Sequence, residues 1–263
     1  MDRNKASYKL QGFGPVYYIN LDDKEDRKVF MEQQFEHWDI KNYERISAFD
    51  GRNSDLSEHI IGKYPEGITT PELGCTLSHL KAIKHWYDTS DTPYAIICED
   101  DCLIDNAKHW SFTWQEFMSR VPYCWDCLQL AIISTGNISV NIHTRFVNNF
   151  STAIYCINRR YAEKLLSFHC KGNKFKLDQN IKPRAVADDL IYNGGLTFSS
   201  PLFLYELRLG SSIHGEHLDL FHSQSYYGLL NFWQQHGSEL TAEQITTFDP
   251  YYGRISEPSP PTK

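Results

Sequence analysis

Val16-Tyr17-Tyr18-Ile19-Asn20-Leu21 is a short run of β-branched and aromatic residues, closed off by Gly14-Pro15 before it and Asp22-Asp23 after it. That composition reads as a buried strand. Lys24 to Trp38 comes next, with Val29, Phe30, Gln33, Gln34 and His37 at helical spacing, Asp22 or Asp23 placed to cap it, and acids in its first turn. Tyr43-Glu44-Arg45-Ile46-Ser47-Ala48 then reads as a second strand. Strand, helix and strand within about 35 residues predict a βαβ unit, hence a parallel sheet with a right-handed crossover. The fold class expected from this stretch is α/β.

The same alternation continues outward. Thr70-Pro71-Glu72 supplies a cap, a proline suited to the first helical position, and an acid where the helix dipole favours it. Leu73, Leu77, Leu80, Ile83 and Tyr87 then form the apolar stripe of an amphipathic helix. Pro93 to Cys98, PYAIIC, is a strongly apolar strand, and Glu99, Asp100 and Asp101 come directly after it. Asn106 to Arg120 reads as a helix, Leu128 to Ile133 and Ser151 to Ile157 as strands, and Arg159 to Phe168 as a helix capped by Asn158. Ala187 to Tyr192 is a short helix or turn, and Leu196 to Leu207 is extended around Pro201. With no internal repeat and no clear linker, residues 15–250 read as one domain. Residues 1–14 are an N-terminal extension, and residues 251–263 form a Pro-rich tail ending Glu257-Pro258-Ser259-Pro260-Pro261-Thr262-Lys263.

Composition limits the partners. A net charge of −7 over 263 residues makes broad capture of nucleic acid or anionic lipid unfavourable, so an anionic ligand has to meet a local positive charge, either a few Lys/Arg or a bound cation. No run reaches the roughly 18–20 apolar residues of a membrane span, and the start lacks the apolar centre of a secretory signal. A cytoplasmic address is expected. Seven scattered cysteines, an odd number, fit reduced and mostly buried thiols. Cys124-Trp125-Asp126-Cys127 matches C-x-x-C, yet lacks the second pair or the histidine spacing of a zinc site. The high aromatic content is assigned to packed core in preference to sugar stacking, and Leu229, Leu230 and Trp233 likewise to core, with Tyr226-Tyr227 and Trp233 as a stacking alternative.

In open α/β sheets ligands bind outside the carboxyl ends of the strands. Those positions hold Asn20-Leu21-Asp22, Phe49-Asp50-Gly51 and Glu99-Asp100-Asp101. Three successive carboxylates after a buried strand repel one another unless a cation joins them. Hard oxygen ligands suit Mn²⁺ or Mg²⁺, with phosphate oxygens and water completing the shell. The alternative is a solvated acidic turn in which Asp101 caps the next segment of chain.

PVYYINLDDKEDR, RISAFDG, TPELGCTLSHLKAIKHW and YAIICEDDCLI, in that order, resemble the N-terminal half of glycosyltransferase family 25. That family includes bacterial lipooligosaccharide galactosyltransferases and the glycosyltransferase domains of collagen galactosyltransferases. The resemblance covers Pro15 to about Asp105, then recurs weakly at Thr152-Ala153-Ile154-Tyr155, Ala187-Asp188-Asp189-Leu190 and Pro201. It implies a GT-A fold, a nucleotide-binding three-layer sandwich on a mostly parallel sheet, with residues 15–105 as donor and metal half and 106–250 as acceptor-side half. It also implies a UDP-sugar donor, most often UDP-galactose, with Mn²⁺ or Mg²⁺, and a role in lipopolysaccharide biosynthesis. The acceptor implied is a glycan or hydroxylated protein, with peripheral membrane encounters where the glycan is lipid-linked.

By the same resemblance Asp101 ligates the metal, Asp100 lies at the metal and ribose, and Glu99 faces the ribose or bound water. β-Linkages imply an inverting displacement, which needs one general base. Asp188-Asp189, in AVADDLIYNGG, is the candidate pair, with Asp189 favoured and a helix cap followed by a solvated acid as the alternative. Asn20, Leu21, Ser78 and His79 are placed near the donor, with a structural role as the alternative for His79. Arg27 serves the phosphates or pairs with carboxylates, and Asp50 is a donor contact or a turn residue. His214 or His217, from Ser211-Ser212-Ile213-His214-Gly215-Glu216-His217, is positioned late in the chain to complete the metal shell; their spacing is not that of a helical zinc motif. Two rival readings are a catalytically inactive glycan-binding module of the same fold and a metal-dependent phosphotransferase or phosphohydrolase.

Overall fold

Strand β1 (Val16–Asn20) is buried at all five positions, as a strand must be when both faces of its sheet are covered. Here, in a computed structural model that describes residues 4–134, 136, 138–177, 184–209 and 222–247, helices cover both faces. Helix α1 (Glu25–His37) crosses from β1 to the parallel strand β2 (Tyr43–Ser47), and helix α2 (Thr70–Thr89) leads to β3 (Tyr94–Glu99), parallel to β1 on its other side. The chain continues through β4 (Cys102–Leu103), α3 (Trp114–Met118), β5 (Cys127–Gln129), β6 (His143–Thr144), β7 (Ile154–Asn158) and α4 (Arg159–His169). A small hairpin, β8 (Cys170–Lys171) with β9 (Lys174–Phe175), precedes α5 (Ala187–Tyr192), β10 (Thr197–Ser199), β11 (Leu204–Tyr205), α6 (Ser223–His236) and α7 (Ala242–Thr246).

The main sheet has seven strands in the order β2-β1-β3-β7-β5-β10-β6. Only β7 and β6 run against the other five, so the sheet is mostly parallel in direction. The period-two pleat sorts side chains between two cores. Val16, Tyr18, Ile96 and Cys98 pack with Met31 and Phe35 of α1, whereas Tyr17, Ile19, Ala95 and Ile97 pack with Leu73, Leu77, Leu80 and Ile83 of α2. Each of those four fully buried α2 side chains contributes about 1.5–3 kcal/mol as transfer from water. The result is the α/β three-layer sandwich expected. Residues of the N-terminal stretch join it too, Leu10 and Phe13 being buried in the first core.

Local departures have identifiable causes. α2 is capped by Thr69, one residue earlier than expected, through a capping box with Glu72. The N-cap of α1 is Lys24, with no side-chain capping bond from Asp22 or Asp23. Its buried face carries Arg27, Met31, Gln34 and Phe35, leaving Val29 exposed: the apolar residues do not mark this face, because a buried Arg and a buried Gln share it. The helix expected over Asn106 to Arg120 is split into a 3₁₀ turn at Ile104–His109 and the short α3. Trp110, Phe112 and Trp114 are all buried at a spacing of two, which demands extended chain, and Thr113 restarts the helix with a capping box to Glu116. Strand pairing of β5 stops at Gln129, although Leu130, Ala131 and Ile132 remain buried. Asn158 caps α4 as expected, its Oδ1 accepting from the Tyr161 amide at 2.8 Å. Among the described residues no helix is long and apolar enough to cross a membrane.

Candidate active site

β1, β2 and β3 point the same way, and their carboxyl ends open into one cleft. Its walls are Ile19, Asn20 and Leu21 after β1, Ala48 to Arg52 after β2, Glu99 to Asp101 after β3, and Pro71, Cys75, Ser78 and His79 from the first turns of α2. Asn20, Leu21, Arg27, Asp50, Ser78, His79, Glu99, Asp100 and Asp101, separated by up to 81 positions in the chain, therefore line a single concave surface.

The three acids have different surroundings. Asp100 is the satisfied one: Arg27 Nη1 donates to its Oδ1 at 2.7 Å and Asn20 Nδ2 to its Oδ2 at 2.8 Å. Burial nonetheless raises its carboxyl above the ordinary range, against the pull of Arg27. Glu99 Oε1 accepts from Thr152 Oγ1 at 2.7 Å and stands 3.3 Å from His79 Nε2. Burial opposes its ionisation, but His79, Thr152 and Arg27 outweigh burial and hold the group below the ordinary glutamate range. Asp101 has a buried Oδ1 with no hydrogen-bond partner, and Arg27 reaches no closer than 3.9 Å to its other oxygen. Burial, with Glu99 and Asp100 adjoining, pushes its carboxyl well up. The strand tip thus presents one carboxyl oxygen that no described residue serves.

Around this tip the side chains fix the walls. Ser78 Oγ donates to the Gly74 carbonyl at 2.6 Å and accepts from the Phe49 amide at 2.8 Å, tying the loop after β2 to α2. Gly74 makes that approach possible: a Cβ there would lie 2.7 Å from the Phe49 carbonyl oxygen. His79 is fully buried, with Nδ1 3.2 Å from the Tyr155 hydroxyl. Asn20 also accepts from Arg45 Nε at 2.7 Å, and Arg27 Nη2 donates to the Leu209 carbonyl at 3.0 Å. Asp50 is bound by Arg52 and Asn53, and Arg52, the dominant partner, holds its carboxyl well below the usual range. Arg52 also reaches Asp23 at 3.0 Å, so the loops after β1 and β2 are cross-tied.

Asp188 and Asp189 diverge. Asp189 is buried and faces its own loop, accepting from the Arg184 amide at 3.2 Å and from Asn193 Nδ2 at 3.5 Å. Asp188 lies close enough to Glu99 to feel its charge, and its Oδ1 is buried without a partner. Burial pushes its carboxyl up to about 6, with Arg145 opposing and Glu99 adding to the rise. The N-cap of α5 is Val186, so capping is not the role of Asp188. Ser151, next to Thr152, is a non-glycine residue at φ +98°, whose carbonyl accepts from Tyr192 and Gln129 and whose Oγ accepts from the Ala153 amide. These bonds hold a sparsely populated backbone conformation in place. His214 and His217 lie outside the described residues, as does the tail 251–263.

Thr152, Tyr155, Cys75, Arg45, Arg52 and Arg145 are the cleft and near-cleft residues that sequence reasoning did not assign a role. Cys75 and His79 carry a signal that was open to reading, four positions apart on one helix face. The arginines carry none, because an arginine's partner is set by tertiary approach.

An α/β sandwich with an acidic strand tip at such a cleft agrees with comparison to known proteins. A profile described as glycosyltransferase family 25 (LPS biosynthesis protein) matches residues 13–181, and the chain belongs to that family. The matched span holds every residue that lines the cleft, from Ile19 to Asp101, and ends before Asp188. A protein of Acanthamoeba polyphaga mimivirus named as a glycosyltransferase is 35% identical over 91 residues, a stretch covering 33% of this chain. The match spans only 28% of that relative's own length.

Proposed function

We propose that this family 25 chain transfers a sugar, galactose foremost, from a UDP-sugar to a hydroxyl of a glycan or hydroxylated protein, with inversion and with a divalent cation, Mn²⁺ or Mg²⁺, at the acidic tip. The observation that carries the reading is the unserved Asp101 oxygen at the carboxyl end of β3, in a cleft built from three parallel strand ends. A cation fits the residues present. Among the described residues the guanidinium that pairs with Asp100 and approaches Asp101 is that of Arg27, and it is engaged with Asp100. Asp101, whose Oδ1 has no partner among the described residues, would hold the cation. Bound there, it would act as a Lewis acid toward the departing diphosphate.

The chain's own residues supply the rest. Arg27 and Asn20 clamp Asp100 and so fix the direction in which Asp101 points. Ser78 and Gly74 hold the Phe49–Gly51 loop as the cleft's second wall. Asp188 accepts the proton of the attacking hydroxyl: an unpartnered oxygen and a carboxyl raised to about 6 suit a base that is ionised at neutral pH yet not inertly acidic. Asp189 instead anchors its loop. Unpaired thiols at all seven cysteines support a cytoplasmic address, and the family's description as an LPS biosynthesis protein supports a lipid-linked glycan acceptor met at the membrane surface.

The test is a panel of UDP-sugars with and without Mn²⁺, following UDP release and melting temperature. One donor is expected to release UDP in a metal-dependent way and to raise the melting temperature, by about 2.7 kcal/mol of stability at a hundredfold excess over its Kd. Failure of every donor to do either overturns the assignment.

A further inference from the structure

Cys75 and His79 stand four residues apart on α2, so one face of the helix carries both toward the tip of β3. There they meet Glu99. One ligand atom from each, a sulfur, a nitrogen and a carboxylate oxygen, lies within 4.8 Å of the other two. The His79 Nε2 to Glu99 Oε1 separation is 3.3 Å. Bonds of about 2.0–2.1 Å at a tetrahedral angle give an edge of roughly 3.3 Å, the spacing of two ligands on one zinc ion. All three residues line the cleft. We propose that Cys75, His79 and Glu99 form a three-ligand site for a thiophilic divalent cation of the zinc class, separate in chemistry from the oxygen-only tip at Asp101.

The surroundings fit such a site. The hydroxyl of buried Tyr155 meets His79 Nδ1 and orients the ring so that Nε2 faces Glu99. Thr152 Oγ1 donates to the same Glu99 oxygen that stands near His79. Thiolate with imidazole selects zinc or cobalt over manganese and magnesium, which prefer oxygen shells. Binding displaces the Cys75 thiol proton to solvent as the metal–sulfur bond forms, and no redox change is involved. The proposal stands whether or not the chain is a sugar transferase.

Cobalt(II) reports directly on sulfur ligation. Titration of the full chain is expected to give a near-ultraviolet thiolate-to-metal charge-transfer band together with the intense visible bands of four-coordinate cobalt, both abolished by stoichiometric zinc. Cys75→Ser should lose the charge-transfer band while keeping its metal-free melting temperature. Tyr155→Phe, which removes only the orienting hydroxyl, should weaken zinc binding roughly 10- to 100-fold. Zinc should also protect Cys75 from alkylation, read by peptide mass, a measurement that needs no variant. No band in the unmodified protein, a band that persists in Cys75→Ser because the exposed Cys124 supplies it, or alkylation of Cys75 indifferent to zinc would each overturn the site.

Discussion

Arg27 Nη1 donates to Oδ1 of Asp100 at 2.7 Å, and each of these side chains has less than a tenth of its surface exposed. The pair joins α1 to the tip of β3, and Nη2 of the same arginine holds the Leu209 carbonyl. Removing one partner of a buried pair leaves the other charge uncompensated. Arg27→Ala is therefore expected to cost about 3–5 kcal/mol in denaturant unfolding. Arg27→Lys should lose less stability, because it keeps the charge but not the two-armed contact. A change below about 1 kcal/mol for the alanine variant would show that the pair is not a structural clamp.

Asp101→Asn should separate stability from turnover. Burial, with Glu99 and Asp100 adjoining, raises its pKa to about 8, so the fold favours the neutral form, which Asn resembles without needing a proton. Melting temperature at pH 7.5 is expected to hold or rise, while turnover with the best UDP-sugar falls about a hundred- to thousandfold, as for loss of one stabilising contact to a developing anion. Equal losses in both would assign Asp101 to architecture.

Asp188 predicts a pH signature. Its native pKa of about 6 lies above its ordinary value of 3.8, so between those limits the native state binds more protons than the unfolded one. Its contribution to stability is present below pH 4 and lost as pH rises through 6, by at most about 3 kcal/mol at 1.36 kcal/mol per unit. Asp188→Asn should remove that part of the profile and lower turnover about 10²- to 10⁴-fold. Turnover of the unmodified chain should fall as pH drops below 6. Asp189→Asn should instead lower melting temperature, with turnover per folded molecule little changed; the reverse pattern would exchange the two roles.

The wall between α2 and the loop after β2 makes a fourth prediction. Gly74→Ala places a methyl group against the Phe49 carbonyl, and the backbone on both sides has little room to yield. A loss of about 1–3 kcal/mol is expected. Ser78→Ala strands the Phe49 amide, at about 1–3 kcal/mol. Both should raise the KM for the donor more than they lower kcat, because the displaced loop forms part of the cleft and not of the strand tip.

Legibility from sequence followed local interactions. β1, α1 and β2 are readable because strand composition and turn residues act over a few positions, and β3 with Glu99-Asp100-Asp101 is readable because an apolar run ending in acids is unambiguous. The buried face of α1 was not, since Arg27 and Gln34 are polar and enter the core only through partners 73 and 68 residues away. Trp110, Phe112 and Trp114 looked helical in a window of 15 residues, yet each packs at extended spacing. At the site, Asn20-Leu21, Phe49-Asp50-Gly51 and Glu99-Asp100-Asp101 are legible from their places after the strands, whereas Arg52, which also follows β2, is not. Which acid stays unserved is fixed by Arg27 and Asn20, and Asp188 parts from Asp189 through the Arg184 amide, Asn193 and Glu99; these contacts are not local in the chain.

Strand β7, inverted between β3 and β5, also has a bearing on how this chain can diverge. It pairs Cys98 with Ile154 and Ile97 with Tyr155, which sets Thr152 beside Glu99 and Tyr155 beneath His79. A single inserted or deleted residue within the strand would turn Tyr155 to the opposite core and bring an aliphatic side chain under the imidazole. Length variation between homologues should therefore collect in the connections on either side of positions 151–158, while that octet keeps its length even where its amino acids drift.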